Sequence, residues 1–441
     1  MVIPPPTNLV DFRTLLVDES IGIIHHVKEL PVEPGSPNFF HFYARACNTM
    51  AFCAQRNSAD AGGASTSRER ALAKAMGEAL ERYCGALYNQ EDLPLSSFES
   101  APFSCVVPTE FALYTPAQIG QKGFPFVAFE KTTKLHWIPA IDIMSNKSCH
   151  VPACMVFVPY RYDREKGEWP ILQPISTGLA CHMGYWVAGV SAICEVIERD
   201  AFTIYWQAQL SPQRIEIKTL SEANQEIVSR FEGTGKRVNL FLLRMDHRIP
   251  VILSVLNCRE TEMPSLCFAL SCHLNPEIAV RKSLEELAHS YRFCRLLKNS
   301  RPRFPPTPDF SNVVDRDSHV ALYCDHKNIA LADFLFRSRK KIPFAEIGNQ
   351  STGDAKKDLG VLRKEINSIG HRILLIDLTT PELQNLGIFV IRAVIPGLHP
   401  LCVGHHIRAL GGSRIREVPE KIGFRKKGEG LGHNSVPHPL P

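Results

Sequence analysis

Residues 176–206 read Ser176-Thr-Gly-Leu-Ala-Cys-His-Met-Gly-Tyr-Trp-Val-Ala-Gly-Val-Ser-Ala-Ile-Cys-Glu-Val-Ile-Glu-Arg-Asp-Ala-Phe-Thr-Ile-Tyr-Trp206. A Ser-Thr-Gly-Leu turn opens the stretch, and Glu195-x-x-Glu198-Arg199-Asp200 sits inside the apolar helical run that closes it. On a helix Glu195, Glu198 and Arg199 fall at i, i+3 and i+4 and project from one side. Their neighbours Ile193, Val196, Ile197, Ala201 and Phe202 are apolar. Carboxylates held against such a core are costly unless a cation neutralises them. From Trp169 to Cys194 the chain carries no charge, yet Pro170, Pro174, Gly178 and Gly184 interrupt it. It therefore lacks the run of about 20 apolar residues that a spanning helix needs, and reads as a buried strand and turn feeding a buried helix.

The pattern occurs twice. Ala75-x-x-Glu78-Ala-Leu-Glu81-Arg82 matches Ala192-x-x-Glu195-Val-Ile-Glu198-Arg199 position for position. Two such helices would bring four carboxylates and two arginines to one site. Hard oxygen ligands in that number suit Mg²⁺, which keeps waters and shares its shell with nucleotide phosphates. The planar fork of arginine suits phosphate oxygens. Ahead of the first copy, Asp60-Ala-Gly-Gly-Ala-Ser-Thr-Ser67 is a small-residue loop that caps a helix expected over 68–90. Its backbone N–H groups could meet phosphate, although neither GxxxxGK[ST] nor GxGxxG is present.

The 441 residues are 44% hydrophobic and 22% charged, the balance of an ordinary globular protein. A net charge of +5 is mild for this length and gives no argument for nucleic acid. The first residues carry Asp11, Arg13, Asp18 and Glu19 where a secretory peptide needs an apolar core. The 14 cysteines include no CxxC, which argues against structural zinc and for reduced thiols in the cytoplasm, with no membrane partner.

Along the chain, residues 1–59 are expected to form an N-terminal strand region packed on the core. Residues 124–129, 135–143 and 149–158 read as strands, and Tyr160–Trp169 as a charged surface loop. Further strands are expected near 238–244, 250–256, 265–270, 373–378 and 388–396, with a long helix over 276–297. Residues 60–427 would then be one catalytic domain of α/β (mixed α+β) class, with 428–441 a flexible tail ending in Pro437-x-Pro439-x-Pro441.

Together these pieces resemble the YcaO family. The carriers are Gly62-Gly63, the Glu78–Tyr83 motif, Ser176-Thr-Gly-Leu-Ala180, the Glu195–Asp200 motif, and Ala279 to Glu286. Two departures stand out: Ala64 follows the Gly pair where many relatives carry Lys, and Cys181-His182-Met183 replaces a common small or polar turn. The resemblance implies a YcaO-type ATP-binding fold with mixed sheets and two ExxER helices lining the nucleotide site. By it, Glu78, Glu81, Glu195 and Glu198 would hold Mg²⁺ around ATP. Arg82 and Arg199 would contact phosphates or fix those carboxylates, Ser176 would line the nucleotide, and Lys282 and Glu286 would present a third helix.

The PxPxP ending is similar to that of the azoline-forming branch. There, Cys, Ser or Thr of a ribosomal precursor peptide attacks the preceding amide, ATP phosphorylates the oxygen, and a thiazoline or oxazoline results. The terminal carboxylate of Pro441 would accept a proton, with His438 a second carrier because its ordinary pKa lies near neutrality. Such relatives work with a leader-binding, E1-like partner, and a flavin-dependent azoline dehydrogenase can join the complex. Thioamide or amidine formation, and a non-catalytic subunit of a peptide-modifying complex, are the alternatives. A carboxylate-bridged di-iron site is disfavoured because neither copy has His three residues after a Glu.

Overall fold

In this computed structural model, residues 8–426, 428 and 433–440 are described. Strands β1 (Ile24–Leu30), β2 (Phe40–Ala46) and β3 (Asp60–Ser65) form an antiparallel three-stranded sheet. Helix α1 (Arg68–Cys84) follows β3 directly. Ser67 caps it by accepting the Arg70 N–H, and Ala71, Leu72, Ala75, Met76, Ala79, Leu80 and Tyr83 bury one stripe. The helix stops at Cys84, short of the expected residue 90, with Gly85 at its C-cap. A Cβ at Gly85 would lie 2.9 Å from both the Glu81 carbonyl oxygen and Leu179 Cδ2.

Next come β4 (Leu95–Ser96), β5 (Leu135–Asp142), β6 (Lys147–Pro152) and β7 (Leu179–Met183), then α2 (Tyr185–Gln207). The strand–turn–helix expected from residues 176–206 is thus present. Strands β8 (Gln213–Ile215), β9 (Arg237–Leu242), β10 (Val251–Asn257) and β11 (Leu266–Cys272) precede the long helix α3 (Pro276–Ser300) and α4 (Arg316–Cys324). Strands β12 (Lys341–Ile342), β13 (Leu374–Asp377) and β14 (Ile388–Val394) complete the set. No strand forms over 124–129; Phe124, Phe126 and Tyr114 instead pack ring on ring in a loop.

The chain divides into two units. The first holds residues up to Leu30, Phe40–Val196 and Thr352–Leu398. It contains the three-stranded sheet and a six-stranded sheet of order β4-β5-β13-β14-β7, with β6 on β5. One apolar core joins α1, β7 and β14; a second lies around Trp137, Phe157 and Leu374. The second unit holds Pro31–Phe39, Ile197–Ser351 and the chain from His399 onward. Its sheet runs β11-β10-β9-β8-β12, and β10 and β11 are mostly apolar and almost wholly buried because both faces are covered. The span 60–427 contributes to both units.

Among the described residues no helix is long and apolar enough to cross a membrane, and all 14 cysteines are free thiols. Mixed sheets and helices place the fold in the expected α/β class.

Candidate active site

The two sequence copies are built alike. In each, a glycine on the chain entering a helix donates its N–H to the first glutamate of the Glu-x-x-Glu motif on that helix. Gly62 in β3 donates to Glu78 Oε2 at 2.7 Å, and Gly178 just before β7 donates to Glu195 Oε2 at 3.0 Å. Gly178 and Gly63, the neighbour of Gly62, both demand glycine. At Gly178 φ is +87°, and a Cβ would stand 2.4 Å from the Ala393 carbonyl oxygen. At the adjoining Gly63 a Cβ would stand 2.4 Å from the Ala71 carbonyl, so β3 approaches α1 closely. The second glutamate of each copy takes its N–H from a later strand. Cys181 N–H of β7 donates to Glu81 Oε1 at 2.8 Å, and Cys272 N–H of β11 donates to Glu198 Oε2 at 3.0 Å. Every one of the four glutamates therefore has a carboxylate oxygen tied to backbone.

In the first unit the charges of Glu195 and Glu78 both act on Glu81. The Glu81 carboxyl is held well above the ordinary 4.5, first by desolvation and then by the charges of Glu195 and Glu78. The Cys181 N–H and Arg82 only partly oppose this. Arg82 pairs with Glu78 at 2.6 Å across one helical turn. Buried Arg392 on β14, absent from the expected site, adds a cation whose field acts with Glu195. Desolvation lowers its pKa to about 10, and it donates to the Met155 and Ile175 carbonyls at 2.8 Å each. One charged residue inside the apolar run Ile388–Val394 was the available signal for it.

Such a group fits a divalent cation. Its carboxylates repel, are partly desolvated, and offer hard oxygens. No three His, Cys, Asp or Glu among the described residues form a closed metal cage. Mg²⁺ does not need one, because in nucleotide sites it takes one or two carboxylates plus phosphates and water.

In the second unit Glu198 is buried, and Arg199 Nε lies 3.5 Å from it. Asp200 is fully buried, bound by Arg414 at 2.8 Å and by the His399 N–H at 2.8 Å. Arg414 also grips Asp246 at 3.0 Å, making this a structural ion-pair network. On α3, Lys282 is half-buried and Glu286 exposed, whereas the adjacent Glu285 is 1% exposed. The expected i, i+4 pair is thus offset from the buried acid by one position. Ser176 is exposed and accepts the Leu179 N–H through its carbonyl.

Pro441 lies outside the described residues. His438 is buried, donating from Nε2 to the Cys402 carbonyl at 2.8 Å. Burial, with the neighbouring His319, pushes its pKa well below 6.5. The ring is neutral at pH 7, so the proton carriage expected of it would have to work from a neutral imidazole.

A family model described as YcaO cyclodehydratase, ATP- and Mg²⁺-binding, matches residues 62–399. An uncharacterised protein of Methanothermobacter thermautotrophicus is 25% identical over 362 residues, 79% of this chain and 85% of that protein. A solved heterocyclase in complex with substrate and cofactor superposes with a TM-score of 0.78 at 17% identity, covering 98% of this chain and 56% of that one. The chain thus spans little more than half the length of that heterocyclase. A YcaO protein from Methanopyrus kandleri bound with AMPPCP and Mg²⁺ gives 0.63 at 17% identity, covering 90% and 91%. The E. coli microcin synthetase complex McbBCD gives 0.64 at 13%, covering 94% and 96%. At these identities the structural likeness is one of fold.

Proposed function

Because the chain belongs to the YcaO family of ATP- and Mg²⁺-binding cyclodehydratases, we propose that it is the ATP-dependent enzyme that makes azolines in a ribosomally synthesised precursor peptide. A Cys thiol or Ser/Thr hydroxyl of the peptide adds to the preceding amide carbon, giving up its proton. The amide oxygen leaves as phosphate, the amide nitrogen loses its proton, and a C=N bond closes the thiazoline or oxazoline. ATP held with Mg²⁺ supplies the phosphoryl group that turns a poor leaving group into a good one.

The observation that carries this reading is the repeated backbone-tethered glutamate. Gly62, Gly178 and Cys181 N–H groups fix Glu78, Glu195 and Glu81 in place, so these carboxylates are pre-set to orient a metal–phosphate group. Glu198 repeats the device one turn along α2. Arg82 and Arg199 face their own glutamates and offer N–H groups to phosphate; Ser176, Lys282 and Glu286 serve at the nucleotide's edge. The C-terminal Pro441 takes a proton. Of the relatives, one was solved with substrate and one as a synthetase complex, which supports a precursor peptide and a leader-binding partner here.

The test is mass spectrometry of a Cys/Ser/Thr-containing precursor after incubation with the full chain, ATP and Mg²⁺, with and without a leader-binding partner. The reading expects loss of one water per ring together with ADP and phosphate release. A thioamide mass shift would assign a different nucleophile, and ATP turnover with no peptide product under either condition would overturn the reading.

A further inference from the structure

The C-terminal segment is not loose on the second unit. Asn434 and Pro437–Leu440 are buried, Leu440 to 2% exposure. Pro437 and Pro439 have no N–H, so this segment cannot be zipped on as a strand and must be recognised through its carbonyls. Three consecutive carbonyls each meet one side-chain donor. Trp206 Nε1–H donates to Val436 O at 2.9 Å, Tyr323 O–H to Pro437 O at 2.6 Å, and His319 Nδ1–H to His438 O at 2.7 Å. All three donors are about 1% exposed, so unmade bonds there would be expensive.

The surroundings fix the geometry further. His319 Nε2 accepts the Gly404 N–H at 3.0 Å, which leaves the proton on Nδ1, where the tail needs it. The His438 ring stacks on His319 with centroids 4.1 Å apart. Pro439 lines an apolar notch with Phe268, Phe293 and Val320. Upstream, the Asn434 side chain ties to the Trp206 carbonyl and its N–H to the Gln207 carbonyl. Sliding the tail by one residue would offer every donor the wrong carbonyl and drive His438 or Leu440 out of its pocket.

We infer that Trp206, Tyr323 and His319 are positioning residues, a three-rung reader of the tail's carbonyls that sets the register in which the chain end is presented. Docking stands on this geometry alone; only its catalytic consequence rests on the function proposed above.

The test uses the full chain and three variants: Tyr323→Phe, His319→Ala and His319→Asn. Asparagine is the conservative replacement, since its amide can donate from the place of Nδ1. Amide hydrogen exchange over 433–440 is read with exchange over α1 as internal control. Tyr323→Phe and His319→Ala should each speed tail exchange about tenfold or more with α1 unchanged, and His319→Asn should stay near the parent. In parallel, ring formation should fall with tail exchange while the KM for ATP holds. Unchanged tail exchange in Tyr323→Phe and His319→Ala overturns the inference. Faster tail exchange in a protein that forms no rings keeps the inference and sinks the proposed function.

Discussion

Glu81 is the residue on which the metal reading can be tested by sign. Desolvation and the charges of Glu195 and Glu78 raise its pKa above 4.5. A carboxyl raised in the folded state favours folding below the ordinary pKa and costs stability as pH rises through the raised one. At pH 7 Glu81→Gln should therefore stabilise the metal-free protein while weakening Mg²⁺-dependent ATP binding about tenfold or more. Thermal melts with and without Mg·ATP read both; a variant that loses stability in both conditions would make Glu81 a packing residue. Glu168 shows the opposite sign. It lies fully buried in what the sequence presents as a charged surface loop. Tyr160 and the His136 and Asp163 N–H groups bond it at 2.8, 3.0 and 3.0 Å, and His136 and these neighbours hold its pKa below 4.5 despite its burial. Its contribution is present above pH 4.5 and is lost as pH falls below it. Glu168→Ala should cost about 3–5 kcal/mol of stability by stranding its partners, with ATP binding retained in the folded fraction. Denaturant unfolding checks it; a cost under about 1 kcal/mol would contradict the buried network.

At the scale of elements, the glycine before β7 is as constrained as any side chain. Gly178→Ala should destabilise by about 2 kcal/mol or more, because φ is +87° and the Ala393 carbonyl is in the way. It should also depress ATP turnover beyond what folding explains, since Gly178 N–H holds Glu195. Full turnover in the folded variant would detach the turn from the site. The tail element titrates. His319 has a pKa of about 4 and His438 one well below 6.5, both chiefly from burial. His405 and Arg199 push His438 the same way, while Asp315 opposes for His319. A depressed imidazole supports docking above its ordinary pKa of 6.5 and loses that support as pH falls toward 4. Exchange over 433–440, corrected for intrinsic rate, should rise across that window; a flat profile would contradict it.

Elements with strong periodicity or apolar content were legible in the residues: α2 from its apolar run, α3 from its long stripe, β10 and β11 from their mostly apolar composition. Less legible was whatever depends on distant contact. Aromatic residues at 124–129 promised a strand but found ring partners in a loop. Glu285 and Glu286 are adjacent acids, and only packing of α3 decides which is buried. The glutamate pairs could be read from spacing, but their tethers are backbone N–H groups, which leave no mark in a sequence. The burial of a proline-rich terminus was equally invisible, because its recognition uses carbonyls.

For the whole molecule, the chain matches the YcaO model over 62–399 and covers 56% of the substrate-bound heterocyclase described above. The leader-binding partner proposed above should raise the rate of precursor processing by a large factor over that of this chain alone. Efficient leader-dependent ring formation by the chain alone would contradict this. The most direct test of the paired glutamates is Mg²⁺-dependent ATP turnover by Glu78→Gln and Glu195→Gln, with peptide and partner present and folding checked by circular dichroism. Removing charge while keeping shape separates coordination from packing. Turnover should fall at least about a hundredfold in each folded variant; full turnover in either would show that these carboxylates do not hold the metal.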